Sequence, residues 1–458
     1  MALLMRETVK KNVVFSTKEF EDLDPENQKQ ILIEFIQPIL LSAPADRHDT
    51  IRYIDASLDI INGCLKIGSF AFPPAAPVLL AIAGVGSFIQ SLLKMIPDNR
   101  PNEVVERYKK LEAAINQLND KLNEQFAELQ SFITENHFET AITAEASVLM
   151  QYMRNCMKYQ NKEDVDNFRR AYDKMSPLTL VYQMVSLLDG NSANPLLMAM
   201  GAEKVKTKAT FNKWKTIINS VMGEMLFMEA FASGLLNETP DEHNRNMVVK
   251  EWEDLNKRID DWENDFKKDE SYWSDAKTFL EDYIQKHTNL NNIQKGEEIK
   301  KRLDTYLTSD AFYICVFNQT EWNKAYNYHV LKDKDLIGSW GKGRCHAFIY
   351  RSRTGSRMNY QSYEALRMKM RDCEEGKLKW TGNLDGILKK QLLDQSLLQG
   401  YGFYCIMEAR TCDPQVFWLN TSPENPSFYD KGPGHYGNIL MNLNNGDKRD
   451  FKFIVSFK

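Results

Sequence analysis

The chain has 458 residues, which exceeds the length of about 250–300 at which a single hydrophobic core usually stops growing, so we expect two or three domains. Hydrophobic residues make up 43% and aromatic residues 11%, which is enough for packed cores and excludes disorder over long stretches. The net charge of −5 argues against nucleic acid as the main partner, because phosphate binding needs a basic surface.

The first residues do not read as a secretory signal. Arg6, Lys10 and Lys11 stand where the apolar part of such a signal should run. We therefore expect a soluble protein that is cytoplasmic by default, or exported by a route that the sequence does not reveal. Its localisation stays open at this point.

Residues 54–96 contain an unusually apolar stretch. No charged side chain occurs over the 27 residues from Ile67 to Leu93, in a chain that is 26% charged. Three prolines, Pro73, Pro74 and Pro77, forbid a single straight helix here, because an interior proline costs about 3 kcal/mol. The pattern predicts a helical hairpin whose tip is this proline hinge, and whose second arm, residues 78–94, is about 26 Å long.

Each arm carries a thin polar or small-residue stripe at helical spacing. Two such arms can cross a thin bilayer with every backbone group satisfied, or stay buried among other helices. If the hairpin inserts, the candidate membrane-inserting residues are Ile67, Phe70, Phe72, Val78, Leu79, Leu80, Ile82, Val85, Phe88, Ile89, Leu92 and Leu93. The candidate pore-lining residues are Asp55, Asp59, Asn62, Lys66, Ser69, Ser87 and Ser91.

Two heptad-like seams follow the hairpin. The first runs from Val104 to Ile133 and predicts a helix from 103 to about 136, which would be about 50 Å long. The second comprises Val248, Trp252, Leu255, Ile259, Trp262 and Phe266. Core packing in an elongated bundle explains both seams, and a coiled coil with another chain is the alternative. Residues 141–235 read as several helices, with breaks at the segments MSPLT and DGNSANP.

The composition changes near residue 306. Nine of the 22 glycines precede this point and thirteen follow it, and the apolar pattern shifts to a period of two. We predict strands at 311–317, 346–352, 402–409, 415–421, 437–443 and 450–457. The fold class is therefore α+β, with an elongated N-terminal helical bundle over 1–305, which contains the apolar hairpin, and a β-rich C-terminal domain over 306–458.

Signatures of catalysis are absent from the sequence. No HExxH, paired CxxC, GxSxG or Walker motif occurs, and the seven histidines show no ligand spacing, so we expect no cofactor and no metal site. Cys345 and His346 are adjacent, but neighbours in a strand point to opposite faces, which argues against a nucleophile and base pair. Trp340, Trp380, Trp418, Tyr360 and Tyr401 are candidates for an aromatic ligand or interface patch, or for core packing. The seven cysteines leave one or two disulfides after residue 310 open.

An apolar hairpin with small residues, flanked by long amphipathic helices, resembles the α-helical pore-forming toxins of the cytolysin A and haemolysin E type. The order of an N-terminal helix pair, PPAAPVLLAIAGVGSFIQSLL, a proline break and ERYKKLEAAINQLNDKLNEQFAEL is similar to the N-terminal helical regions of latrotoxins, cephalotoxin and rapunzel-like vertebrate proteins. The resemblance covers roughly residues 25–240. It implies membrane attack, or descent from a pore-forming protein.

From these patterns we expect a cytolytic, pore-forming protein and not an enzyme. It would bind membrane lipid, and a cell-surface receptor or glycan, through residues 306–458, form a homo-oligomer on the membrane and insert the hairpin. The main alternative is a non-lytic helical interaction or scaffold protein in which the hairpin stays buried. An enzyme in the C-terminal domain is a more distant alternative.

Overall fold

The structure is a computed structural model of the full chain. It describes residues 58, 83, 85–86, 89, 93, 106–114, 116–117, 120, 138–190, 193–236, 243–287, 289–319, 327–329, 334–340, 345–353, 360–372, 401–419, 433–442 and 448–457. The chain is a mixed helix and strand protein in which the helices precede the strands, so the predicted α+β class is confirmed.

The chain forms two compact units. The first comprises Met1–Ala202 and Asn212–Asp261, and the second comprises Glu203–Phe211 and Trp262–Lys458. The unit that holds the strands therefore takes in a short segment from the middle of the chain and begins its main part at Trp262, ahead of the change in composition near residue 306.

Eight helices with described bounds precede the first strand. A π-helical turn, Glu139–Thr143, leads into α1 (Ala144–Tyr159), followed by α2 (Lys162–Lys174), α3 (Pro177–Asp189), α4 (Pro195–Ala202), α5 (Lys208–Leu236), α6 (His243–Phe266), α7 (Ser271–Lys286) and α8 (Asn292–Asp304). Residues 106–114 are also helical, as the first seam predicts, and the rest of that seam lies largely outside the described residues.

Local signals set several of these helix ends. The break predicted at MSPLT is confirmed: Ser176 is the N-cap of α3, its hydroxyl accepts a bond from the Thr179 amide, and Pro177 occupies the first helical position, where its missing N–H costs nothing. At α8, Asn291 and Gln294 form a reciprocal capping box.

The second predicted seam is largely buried within the chain. Its residues lie on α6, where Val248, Trp252, Leu255 and Ile259 are fully buried. Trp262 and Phe266, at the C-terminal end, are half-buried. These side chains pack inside this protein, as the core-packing interpretation predicts.

The C-terminal unit contains two antiparallel sheets. Their elements are β1 (Ala311–Asn318), β2 (Asn327–His329), β3 (Leu336–Trp340), β4 (Cys345–Ser352), α9 (Tyr360–Asp372), β5 (Tyr401–Glu408), α10 (Ala409–Cys412), β6 (Gln415–Leu419), β7 (Gly434–Asn442) and β8 (Lys448–Phe457). The strand order is β3-β4-β1-β6 in one sheet and β2-β5-β8-β7 in the other. All six predicted strands are confirmed, and β2 and β3 are additional.

The C-terminal unit has four layers. A layer of helices covers the first sheet, the second sheet packs on the first, and one helix covers the second sheet. Phe312, Ile314 and Val316 of β1 pack against a cluster that includes Leu280 of α7 and Ile299 of α8. The alternate residues of β1, Tyr313, Cys315 and Phe317, pack against Phe403, Cys405 and Ile454 of the other sheet. On the far side, Tyr363 of α9 stacks on Phe453 of β8, with ring centroids 5.8 Å apart. Strand β1 is buried on both faces, which explains its unbroken apolar run.

An ionic network joins α7 to β4. The Arg351 side chain, only 3% exposed, donates to Asp335 at 2.9 Å and to Glu270 at 3.1 Å, and its guanidinium lies 4.6 Å from the Trp273 ring centroid. Its charge is thus matched by carboxylates inside the unit, which makes the network a structural connection between layers.

Candidate functional site

Helix α5 has an exceptional burial pattern. All 16 residues from Ser220 to Leu235 are buried, so this part of the helix has no solvent-facing side. A helix that is apolar all round belongs in the core of a large domain or in a membrane. Most of these side chains are aliphatic, aromatic or methionine. The sequence patterns predict several helices over residues 141–235, but they do not distinguish this helix from the others.

Other helices of the N-terminal unit pack around α5. Phe168 of α2 meets Phe231 edge to face, with ring centroids 5.5 Å apart. From α6, the Trp252 indole donates a hydrogen bond of 3.2 Å to the Asn219 side chain. These contacts enclose α5 and supply the large, specific side chains that fix its position.

The second arm of the apolar hairpin also packs on α5. Residues 83, 85, 86, 89 and 93 are helical, as predicted. A Cβ atom at Gly86 would lie 2.4 Å from the Phe231 carbonyl oxygen and 2.7 Å from the Leu235 amide nitrogen. The two helix backbones therefore approach each other as closely as a glycine permits. Gly234 lies at the same contact, with its carbonyl carbon 3.1 Å from that Cβ position.

The structure locates three of the twelve candidate membrane-inserting residues. Val85 is 1% exposed, Ile89 is completely buried and Leu93 is half-buried. Ala83, beside them, is also buried. The other candidate inserting residues, the proline hinge and all the candidate pore-lining residues lie outside the described residues.

Two carboxylates lie within the buried part of α5. Glu229 is 1% exposed and accepts a hydrogen bond of 2.6 Å from the Tyr172 hydroxyl of α2, which in turn accepts one of 3.2 Å from the Asn244 amide of α6. The hydrogen bond from Tyr172 serves one of the two carboxylate oxygens, Oε1, and so lowers the cost of burying this group.

Glu224 has a different environment. Its side chain is 8% exposed, and none of the described residues donates a hydrogen bond to it. Burial raises the pKa of Glu224 to about 7, and the positive charge of Arg154 on α1 opposes this shift only in part. A carboxyl group with this pKa changes its charge near neutral pH. In the sequence, these two acids stand out because they are the only charged residues in the segment VMGEMLFMEAFASGLL.

The described residues do not assemble a metal-binding group. Across the described ranges, no three His, Cys, Asp or Glu side chains are placed to hold a metal ion. Cys345 packs against the core between the first sheet and α7 and α8, whereas His346 stacks on Phe317, whose ring lies in the core between the sheets. The prediction that these neighbours face opposite ways is confirmed.

Two of the candidate aromatic residues, Trp418 and Tyr360, have described contacts, and these lie in different parts of the C-terminal unit. Trp418 packs at the edge of the core between the sheets and has the Lys300 ammonium 5.7 Å from its ring centroid. Tyr360 meets His435 of the other sheet edge to face. The five described cysteines, Cys156, Cys315, Cys345, Cys405 and Cys412, are free thiols.

The fold defines an α+β protein with a helical unit and a four-layer C-terminal unit. A family model described as protein of unknown function (DUF684) matches residues 106–448, which is 343 of the 458 residues, and the chain belongs to this family. The match begins after the apolar hairpin and includes α5. Searches of curated proteins and of solved structures give no match. Within the part of the chain that the structure describes, no helix is both long enough and apolar enough to span a bilayer.

Proposed function

We propose that the protein is a pore-forming protein that stores the apolar hairpin 54–96 against α5 and inserts it into a membrane. The observation that carries the proposal is the Gly86 contact. It indicates that the second arm lies with Gly86 against the most deeply buried of the described helices, where Ala83, Val85 and Ile89 are kept from water.

The chemistry of the two environments makes the transfer feasible. The second arm has no charged residue before Lys94, so a hydrocarbon core accepts its side chains as readily as the protein interior does. A helical hairpin also satisfies its own backbone hydrogen bonds in lipid. In this proposal the proline hinge keeps the arms short enough for a bilayer, and Asp55, Asp59 and Lys66 face water in the pore.

Release of the second arm would uncover apolar surface on α5 around Phe231 and Leu235. Such a surface is unstable in water and associates with another apolar surface. A second copy of the chain supplies one, which gives a physical reason for a homo-oligomer on the membrane. The C-terminal unit, with its separate four-layer core, is the proposed binding module for membrane lipid, a receptor or a glycan.

The alternative is a non-lytic interaction protein in which the hairpin never leaves α5. The same Gly86 contact favours it, because two helix backbones that leave no room for a Cβ atom between them have little freedom for movement. The two functions differ in what the protein does to a lipid bilayer.

Dye release from liposomes distinguishes the two. The purified full-length chain is added to vesicles that hold a small self-quenching dye, and the variant with all three hinge prolines replaced by alanine serves as the matched control. Pore formation predicts concentration-dependent release by the wild type and little release by the control. Binding without release, across lipid compositions, would support the non-lytic alternative.

A further inference from the structure

We propose that Glu224 is a proton-controlled latch for the stored hairpin: in its protonated form α5 stays packed beneath the second arm, and ionisation of Glu224 loosens that packing. This inference concerns the regulation of the site described above. Its consequence at membranes rests on the proposed function, whereas the latch itself is a property of the folded protein.

The position of Glu224 on α5 connects it to the hairpin. Glu224 and Phe231 are seven residues apart, so their side chains leave the helix on nearly the same side. Gly86 contacts α5 at Phe231 and Leu235. The carboxyl group thus lies on the same stripe as the hairpin contact, about 10 Å further towards the start of the helix.

The surroundings of Glu224 leave its charge poorly compensated. Among the described residues, the charged group that acts on it is Arg154 of α1, and the Arg154 guanidinium already pairs with Asp120 at 2.9 Å. Glu229, on the same helix, is engaged with Tyr172 of α2.

Of two charged residues on α6, Asp260 contacts α5 near the start of that helix, far from Glu224, and Arg245 is itself buried. Asp260 pairs with Lys215 at 3.0 Å, near the start of α5. Arg245, close to the start of α6, is 7% exposed and exerts no resolved effect on Glu224. An ionised Glu224 therefore has one shared cation as its compensation, which is less than a buried charge requires.

The direction of the pH effect follows from the pKa of about 7. The folded state binds the proton more tightly than the unfolded state, in which the pKa is near the ordinary value of 4.5. The stabilising contribution is thus complete below pH 4.5 and is lost as the pH rises through about 7. Acid closes this latch, and neutral to mildly alkaline solution opens it.

Hydrogen exchange on the full-length protein without membranes tests the latch. Protection of the amides of residues 220–235 and 83–93 is measured at pH 5.5 and at pH 8.5, with each rate divided by that of an unstructured peptide at the same pH. For the wild type we expect protection to fall about 30-fold between these pH values, as two-state linkage gives for pKa values of 4.5 and about 7. Glu224→Gln should abolish this fall and be better protected than the wild type at pH 8.5.

Two further variants keep the test specific. Glu253 is exposed on α6, so Glu253→Gln should retain the wild-type pH dependence. Arg154→Met removes the cation that lowers the pKa of Glu224, and should therefore move the loss of protection to higher pH. Equal protection of the wild type at both pH values, or an unchanged fall in Glu224→Gln, would overturn the proposal. Failure of the wild type to release dye from liposomes would refute the pore and leave the latch standing.

Discussion

The closest contact in the candidate site gives the sharpest mutational test. In Gly86→Ala, the new methyl group would lie 2.4 Å from the Phe231 carbonyl oxygen, whereas ordinary contact begins near 3.4 Å. The difference, 3.4 − 2.4 = 1.0 Å, must be taken up by moving one helix backbone away from the other, because no flexible side chain is at the contact. Overpacking of this kind typically costs about 1–3 kcal/mol.

A smaller effect acts in the opposite direction. Alanine is intrinsically favoured over glycine within a helix by about 1 kcal/mol. Taking about 2 kcal/mol, the middle of the overpacking range, and subtracting about 1 kcal/mol gives a net loss of about 1 kcal/mol in the stability of the N-terminal unit. With a urea dependence of about 2 kcal/mol per molar, the midpoint should fall by about 0.5 M.

Proteolysis of the N-terminal unit in increasing urea measures this midpoint. Gly201→Ala on α4 is the matched control, because a Cβ atom there meets nothing within 4 Å, and it should leave the midpoint unchanged or raise it slightly. If the hairpin is a stored insertion device, Gly86→Ala should also release dye from liposomes faster than the wild type. Equal stability of Gly86→Ala and Gly201→Ala would refute the close packing of the second arm on α5.

Three other predictions concern the hinge, the pore and the C-terminal unit. Replacement of the three hinge prolines by alanine should abolish dye release and lower solubility, because one long helix cannot pack back into the unit, while Pro38→Ala should be tolerated in the same assays. Asp59→Lys should shift the ion selectivity of channels in planar bilayers without weakening membrane binding; unchanged selectivity would remove the first arm from the pore lining. A fragment of residues 262–458 should remain monomeric in gel filtration. A fragment of residues 306–458 should aggregate, because it lacks helices α7 and α8, which cover the first sheet. A soluble, folded fragment 306–458 would contradict this assignment of the layers.

The strands were predictable from their short apolar runs, and the α6 seam was predictable from its heptad spacing. On β1 and β4 the apolar runs are long enough to identify without knowing their neighbours, and on α6 the residues from Val248 to Ile259 repeat at heptad spacing. Strand β3 was not predicted, because it is only five residues long and Gly338 interrupts its apolar pattern.

The role of α5 was not predictable in the same way. Its apolar segment contains Glu224 and Glu229, and two acids usually indicate a solvent-facing side. Both are buried: Glu229 accepts a hydrogen bond from Tyr172 of α2, and the positive charge of Arg154 on α1 partly offsets the burial of Glu224. These compensations come from residues about 60–70 positions away in the chain, such as Tyr172 and Arg154, and sequence spacing does not reveal them.

The layer to which a helix belongs also depends on distant contacts. The amphipathic patterns of α7 and α8 predict helices, but not that they cover a sheet that begins at Ala311. The composition boundary near residue 306 separates the eight helices α1–α8 from the part of the chain that contains the strands. It does not separate the compact units, because helices and strands share the core of the second unit.

Photo-crosslinking from within the bilayer tests the central claim most directly. The unmodified full-length protein is mixed with liposomes that contain a phospholipid with a photoreactive group in its acyl chain, illuminated and digested, and the lipid adducts are located by mass spectrometry. Insertion of the hairpin predicts lipid adducts within residues 67–93 when liposomes are present. In the control, the same photoreactive phospholipid is presented in detergent below the micelle concentration, and no adducts should form within residues 67–93. Membrane-bound protein whose adducts lie only outside 67–93 would contradict insertion of the hairpin.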